Sequence, residues 1–282
     1  VLETVKGDEA AHLFLASIGT KPLGRSVGFL RKLALHLSRL PYENISKIIK
    51  SAGEADVFES MRLPREVVID HLERHFGGTC FSLTFFVERL LTCLGFDCYK
   101  VMADMHSGEN VHCLVVVREV GSKYIVDPGY ALYEVIELPS ATGPDGERDR
   151  HGRVTVRFPH AVVEVEQSAV DRYNLWTIDA TGRKWRYAFS DRPVGDEDFE
   201  KHWIASFTRP TLHNICLTMM TPGGHIYLRK DFFKFTSHQT VSKRRLKHDI
   251  GTFVQQNFGI DGQWTDLAQR LLTERRRSTW RK

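Results

Sequence analysis

The chain has 282 residues, 42% hydrophobic and 26% charged, with a net charge of +4, which is the composition of an ordinary globular protein with a large core in one or two domains. The excess charge gathers in two basic runs, SKRRLKH (242–248) and ERRRSTWRK (274–282), and no nucleic-acid-binding motif accompanies them. No apolar stretch approaches the roughly 18 residues that span a bilayer, so neither a membrane nor a nucleic acid is an expected partner.

The opening residues, VLETVKGDEAAHLF, lack the basic-then-apolar order of a signal peptide. Helices are predicted over AAHLFLASIG (10–19) and SVGFLRKLALHLSRL (26–40), where apolar residues recur at three- and four-residue spacing. A short segment, PYENISKIIK, follows. PREVVIDHLERHF (64–76) starts a helix at Pro64. CFSLTFFVERLLTCLG (80–95) gathers Leu83, Phe86, Val87, Leu90, Leu91 and Leu94 on one face and stops at Gly95.

The middle of the chain reads as strands. VHCLVVVREV and KYIVDPGY are β-branched, with a turn at Glu119, Gly121 and Ser122. RVTVRF, AVVEVE, NLWTID and KWRYAF continue the pattern, and PSATGPDGERDRHG (139–152) is a loop. After DRPVGDEDFEKHWIASF come two strand-like segments, NICLTMM and HIYLRKDFF, joined by TPGG. A final helix, KHDIGTFVQQNF, precedes the basic tail. The expected fold is α+β, with a helical subdomain (1–100), an antiparallel barrel-like β subdomain (101–194) and a smaller mixed α/β subdomain (195–282).

Five cysteines, Cys80, Cys93, Cys98, Cys113 and Cys216, form no CxxC pair. Their odd number argues against a disulfide framework and a structural zinc site, and points to a reduced, cytoplasmic chain. No HExxH or close Cys/His cluster supports metal catalysis. Cys80 follows Gly77 and Gly78 at the head of a predicted helix, where the helix's positive end favours a thiolate. By itself this position suits a packed thiol as well as a nucleophile. A nucleophilic cysteine needs an imidazole to take its proton and a group to orient that imidazole. His112 begins one predicted strand and Asp127 ends the next, so a hairpin would bring them to the same end. An Asp before Pro-Gly is also a common turn residue.

The order of these segments resembles the arylamine N-acetyltransferases, a branch of the transglutaminase-like cysteine enzymes. The likeness runs through ASIGTKPLGRSVGFLRKLALHLSRLPYENISKI, GGTCF, VHCLVVV, YIVDPGY, SFTRP, TMMTPGGHIYL and a terminal helix ending in FGI, from about residue 8 to 260. It implies a papain- or transglutaminase-like core with Cys80, His112 and Asp127 as triad. It also implies an acyl-coenzyme A donor, acetyl-CoA above all, a small-molecule amine, arylamine or hydrazine acceptor, and a ping-pong thioester mechanism. Tyr42, Phe81, Gly129 and Tyr130 match acceptor-pocket positions. Thr221, Gly223 and Gly224 match a turn near which relatives bind the coenzyme, and read equally as a plain hairpin turn.

The pattern departs from the family at three places: Phe76 stands for the Arg before the two glycines, and Ser82 and Thr84 for a Glu and an Asn after the cysteine. The usual Arg and Glu are both gone while Glu43 remains, which leaves neither member of that pair alone. MHSGEN (105–110) is short, implying a more open acceptor site. Two other functions stay open on these residues: an amide synthase fed by a carrier-protein thioester, and a non-catalytic binding protein on the same scaffold.

Overall fold

The computed structural model describes Leu2 and residues 7–22, 24–139, 152–247 and 249–279. The loop expected at 139–152, apart from its two end residues, and the last three residues of the basic tail lie outside the described residues. The described residues form an α+β fold with eight α-helices and two antiparallel sheets.

The helices α1 (Asp8–Ser17), α2 (Val27–Leu37), α4 (Pro64–Arg74) and α5 (Cys80–Cys93) lie where periodicity predicts them. Ser26 accepts from the Phe29 N–H to start α2, and Pro64 occupies the first turn of α4. PYENISKIIK is more than a short connection. It contains β1 (Tyr42–Glu43) and most of α3 (Ile45–Gly53), whose Ile45 and Ile48 are buried.

Eight strands make the larger sheet: β2 (Asp97–Met105), β3 (Gly108–Glu119), β4 (Ser122–Val126), β5 (Ile136–Glu137), β6 (Arg153–Arg157), β7 (Val162–Ala169), β8 (Arg172–Asp179) and β9 (Gly182–Ser190). Their order is β5-β4-β3-β2-β9-β8-β7-β6, and the edge strands β5 and β6 approach each other, so the sheet is nearly closed. The β3–β4 turn uses Val120 and Gly121, both left-handed at φ 48° and 76°, which matches the twist of a two-residue hairpin. β3 is buried on both faces. Val115 and Val117 pack with α5, while Leu114 and Val116 face the interior of the curved sheet.

After α6 (Asp196–Ala205) the chain enters the second sheet through β10 (Cys216–Thr221), β11 (Gly224–Arg229), β12 (Phe232–Thr236) and β13 (Val241–Arg245), ordered β1-β10-β11-β12-β13. HIYLRKDFF is therefore two strands, divided at Lys230 in a left-handed conformation (φ 57°). The first basic run supplies the edge strand β13, where lysine and arginine discourage edge-to-edge pairing. Helix α7 (Ile250–Phe258), capped by Asp249 and stopped at left-handed Gly259, leads into α8 (Gly262–Thr279). The start of the basic tail is thus helical. No helix among the described residues is long and apolar enough to cross a membrane.

Candidate active site

Strand β1 clasps the loop that carries the two glycines. The Gly78 N–H donates to Pro41 O at 3.2 Å, and the Glu43 N–H to Gly78 O at 3.0 Å. A Cβ on Gly77 would stand 1.8 Å from Pro41 O, so only glycine allows this approach. The clasp presents Cys80 as the first residue of α5, where helical N–H groups have no intrahelical partner.

The β3–β4 pairing sets Val115 opposite Val126, so His112 and Asp127 extend past the same end of the pair. His112 Nε2 lies 2.7 Å from Asp127 Oδ2, which leaves Nδ1 as the nitrogen for the Cys80 thiol. Asp127 is fully buried and well satisfied. Its Oδ1 accepts from the Tyr130 N–H and its Oδ2 from the Tyr187 hydroxyl, each at 2.8 Å. The Tyr187 ring packs on the imidazole with centroids 4.9 Å apart. Gly129 closes the site, since a Cβ there would meet Cys80 Cβ at 2.8 Å and His112 Cε1 at 3.2 Å.

The electrostatics favour an ion pair. A hydrogen bond from the Cys113 thiol and, against the opposing effect of burial, the neighbouring His112 hold Cys80 well below the ordinary thiol range. Burial acts to lower His112, but the Asp127 carboxylate and the Cys80 thiol outweigh it and hold the imidazole at about 10. Cys113 goes the other way: burial and the Cys80 charge push it well up. The arrangement can hold a thiolate beside an imidazolium at neutral pH.

Arg62 resolves the departures in charge. Glu43, fully buried, lies 3.6 Å from the Arg62 guanidinium. Arg62 also donates to Asp70 Oδ2 at 2.9 Å, Ser46 Oγ at 2.8 Å and Gly77 O at 2.6 Å. A guanidinium from a different stretch of chain thus faces Glu43 and holds the glycine loop. Phe76 is free to be apolar, and packs edge-on against Trp264 of α8 with centroids 6.0 Å apart. Ser82 turns back to Thr79 O at 3.0 Å, and Thr84 Oγ1 donates to Cys113 O at 3.0 Å, tying α5 to β3.

Other residues singled out from the sequence fall in several places. Tyr42 is half-buried within the electrostatic reach of Cys80, and Tyr130 stands edge-on to His112 at 6.3 Å. Phe81 is buried against Phe199 and Trp203. Thr221 and Gly224 pair across the β10–β11 turn containing Gly223; Thr218, three residues earlier, is opposite Tyr42. MHSGEN is a tight turn in which Met105 pairs with Gly108. Among the described residues no group of three or more metal-ligating side chains gathers. Sequence reasoning missed Arg62, Cys113, Tyr187 and Lys47. Only Lys47 leaves a local signal, a cation in the first turn of a helix where the dipole opposes it.

A family model described as N-acetyltransferase matches residues 26–266. The chain belongs to the arylamine N-acetyltransferase family. Arylamine N-acetyltransferase 2 of Rattus norvegicus is 30% identical over 123 residues, covering 36% of this chain and 42% of that protein. The chain thus spans about two fifths of the length of that relative. Arylamine N-acetyltransferase 1 of Oryctolagus cuniculus is 26% identical over 206 residues, 66% of this chain and 68% of that protein. The fold is similar to that of the arylamine N-acetyltransferase of Mycobacterium abscessus, with a TM-score of 0.75, 17% identity and 96% of each chain covered.

Proposed function

We propose that the protein is an N-acyltransferase that moves an acyl group from acyl-coenzyme A to an amine, arylamine or hydrazine through a thioester on Cys80. The observation that carries this reading is the Cys80–His112–Asp127 arrangement, with Nε2 committed to Asp127 at 2.7 Å and Nδ1 left for the thiol. Cys80 as thiolate attacks the thioester carbonyl, and coenzyme A leaves with the proton of His112. The amine then attacks the acyl-enzyme, His112 takes its proton, and the amide departs as thiolate and imidazolium are restored. Asp127 and Tyr187 keep the imidazole in one orientation. The Cys80 N–H, at the helix start and without a partner among the described residues, is one donor to the oxyanion. The Tyr130 N–H is not the second, because Asp127 engages it.

In this reading Tyr42, Gly129 and Tyr130 border the acceptor, with Phe81 behind them, and the turn at Thr221, Gly223 and Gly224 contacts the coenzyme. The segments 1–100, 101–194 and 195–282 contribute nucleophile, base and cover, although β1 and α3 of the first segment join β10 and α8 of the last. Intact-mass analysis after mixing with acetyl-CoA tests the reading. An acetyl adduct is expected that Cys80→Ala abolishes and that aniline discharges as the acetylated amine. Adducts from carrier-bound thioesters alone would identify an amide synthase, and no adduct from any donor would identify a binding protein.

A further inference from the structure

The register of the second sheet aligns one residue from each of its five strands. Tyr42 on β1 lies opposite Thr218 on β10, and Thr218 opposite Tyr227 on β11. Tyr227 lies opposite Lys234 on β12, and Lys234 opposite Lys243 on the edge strand β13. Directly opposed residues project from the same face, so the five form one continuous row. The reverse face carries Leu217, Ile226, Leu228 and Phe233 into the core. The row itself is polar and partly exposed from end to end. It runs beside the junction of the two sheets, where the His225 ring stacks on His160 at 5.0 Å.

One end of the row holds two lysines that the fold does not neutralise. Lys234 and Lys243 stand directly opposite each other, where like charges destabilise a strand pair. Neither has a carboxylate partner among the described residues. Asp231 is committed to Arg245, and Asp179 to Lys184. Burial first, then Lys184, and beyond the opposing Asp179 also Arg186 and Lys243, hold Lys234 below its ordinary value. Protection of a sheet edge explains Lys243 but not Lys234, which is on an interior strand. A pair of like charges with no counter-charge is an arrangement that a bound anion completes.

The other end of the row is the active site. Tyr42 bridges to Gly78, two residues before Cys80. At about 4.8 Å per strand, Lys234 stands roughly 14 Å and Lys243 roughly 19 Å from Tyr42. In coenzyme A about 14 bonds separate the thioester carbon from the first phosphorus, which is roughly 17 Å for an extended chain. We propose that this row is the binding track of the donor: the pantetheine arm passes over Thr218 and Tyr227, and Lys234 with Lys243 holds the diphosphate of coenzyme A. The inference rests on the acyl-transfer reading and adds the residues that select a phosphorylated donor. The two lysines touch only the non-reacting end of that donor, so their contribution is the same in the ground and transition states.

Acylation of Cys80 by acetyl-CoA and by S-acetyl-pantetheine, which ends before the phosphates, tests it. Acetyl-CoA is expected to lead in kcat/KM by roughly 10- to 100-fold, the range of charge-assisted hydrogen bonds. Lys234→Gln should collapse that ratio and Lys243→Gln should reduce it, each through KM for acetyl-CoA rather than kcat. Added salt should shrink the lead seen with the unmodified protein in the same way. Equal losses with both donors, or none with either, would overturn the proposal and leave acyl transfer standing. A lysine dependence confined to a carrier-bound thioester would overturn the assignment to coenzyme A. Acylation by no donor would overturn both readings.

Discussion

Cys80 and Gly129 are held together so closely that each explains the other. Gly129 lacks the Cβ that would strike the Cβ and Cα of Cys80 at 2.8 and 2.9 Å. Gly129→Ala should displace Cys80 from His112 and lower the acylation rate by roughly 100-fold, with about 1–3 kcal/mol lost in urea unfolding. The thiol pair gives a second expectation. At about pH 6, iodoacetamide should label Cys80 far faster than Cys93, Cys98, Cys113 or Cys216, because only the thiolate reacts. Since the Cys113 hydrogen bond is the largest influence lowering Cys80, Cys113→Ala should move the labelling profile of Cys80 to higher pH. An unmoved profile would leave His112, rather than Cys113, as the main source of activation.

The elements β1, α3 and the glycine loop act as one unit through Arg62. Its guanidinium joins Asp70 on α4, Ser46 on α3 and Gly77 of the loop, beside Glu43 on β1. Removing one member of a buried charged network costs more than removing both signs together. Arg62→Ala should therefore cost about 3–5 kcal/mol in urea unfolding, and the double variant Arg62→Met with Glu43→Gln clearly less. Equal losses would mean that the network contributes packing alone. PYENISKIIK shows why this unit was hard to see in the sequence. Its two strand residues pair with partners more than 30 residues away, Gly78 and the β10 residues Leu217 and Thr218, and no local pattern encodes them.

Across the whole molecule, the two sheets meet at a stacked pair, His160 before β7 and His225 on β11, with centroids 5.0 Å apart. Burial first, and then Arg186 for His160 and the neighbouring His160 for His225, lower them to about 4 and about 3. Both start from an ordinary value of 6.5, so below that pH the unfolded chain binds protons that the folded chain refuses. The contribution of this pair is complete above about 6.5 and is lost progressively as pH falls toward about 4 and then 3. A loss of roughly 4 kcal/mol at pH 5, about 2 kcal/mol from each imidazole, is expected from thermal melts, and His225→Phe should roughly halve that dependence.

Local chemistry determined much of this protein. Apolar spacing placed α1, α2, α4 and α5, alternation placed the β3–β4 hairpin, and the order GGTCF, His112, Asp127 marked the thiol, imidazole and carboxylate that the fold brings to one place. The helices and the hairpin were legible because each depends on neighbours a few residues away, whereas the three site residues were marked by the resemblance of segment order to a known family. The short β1, the division of HIYLRKDFF at Lys230 and the helix within the basic tail were not, since tertiary packing and a single left-handed residue decide them. The same holds for the charges around Cys80. Phe76, Ser82 and Thr84 announced that something had changed, but only the tertiary structure turns Arg62 toward Glu43 and leaves Lys47 buried without a carboxylate partner among the described residues. Electrostatic partners are chosen through space, at distances along the chain that no local pattern records.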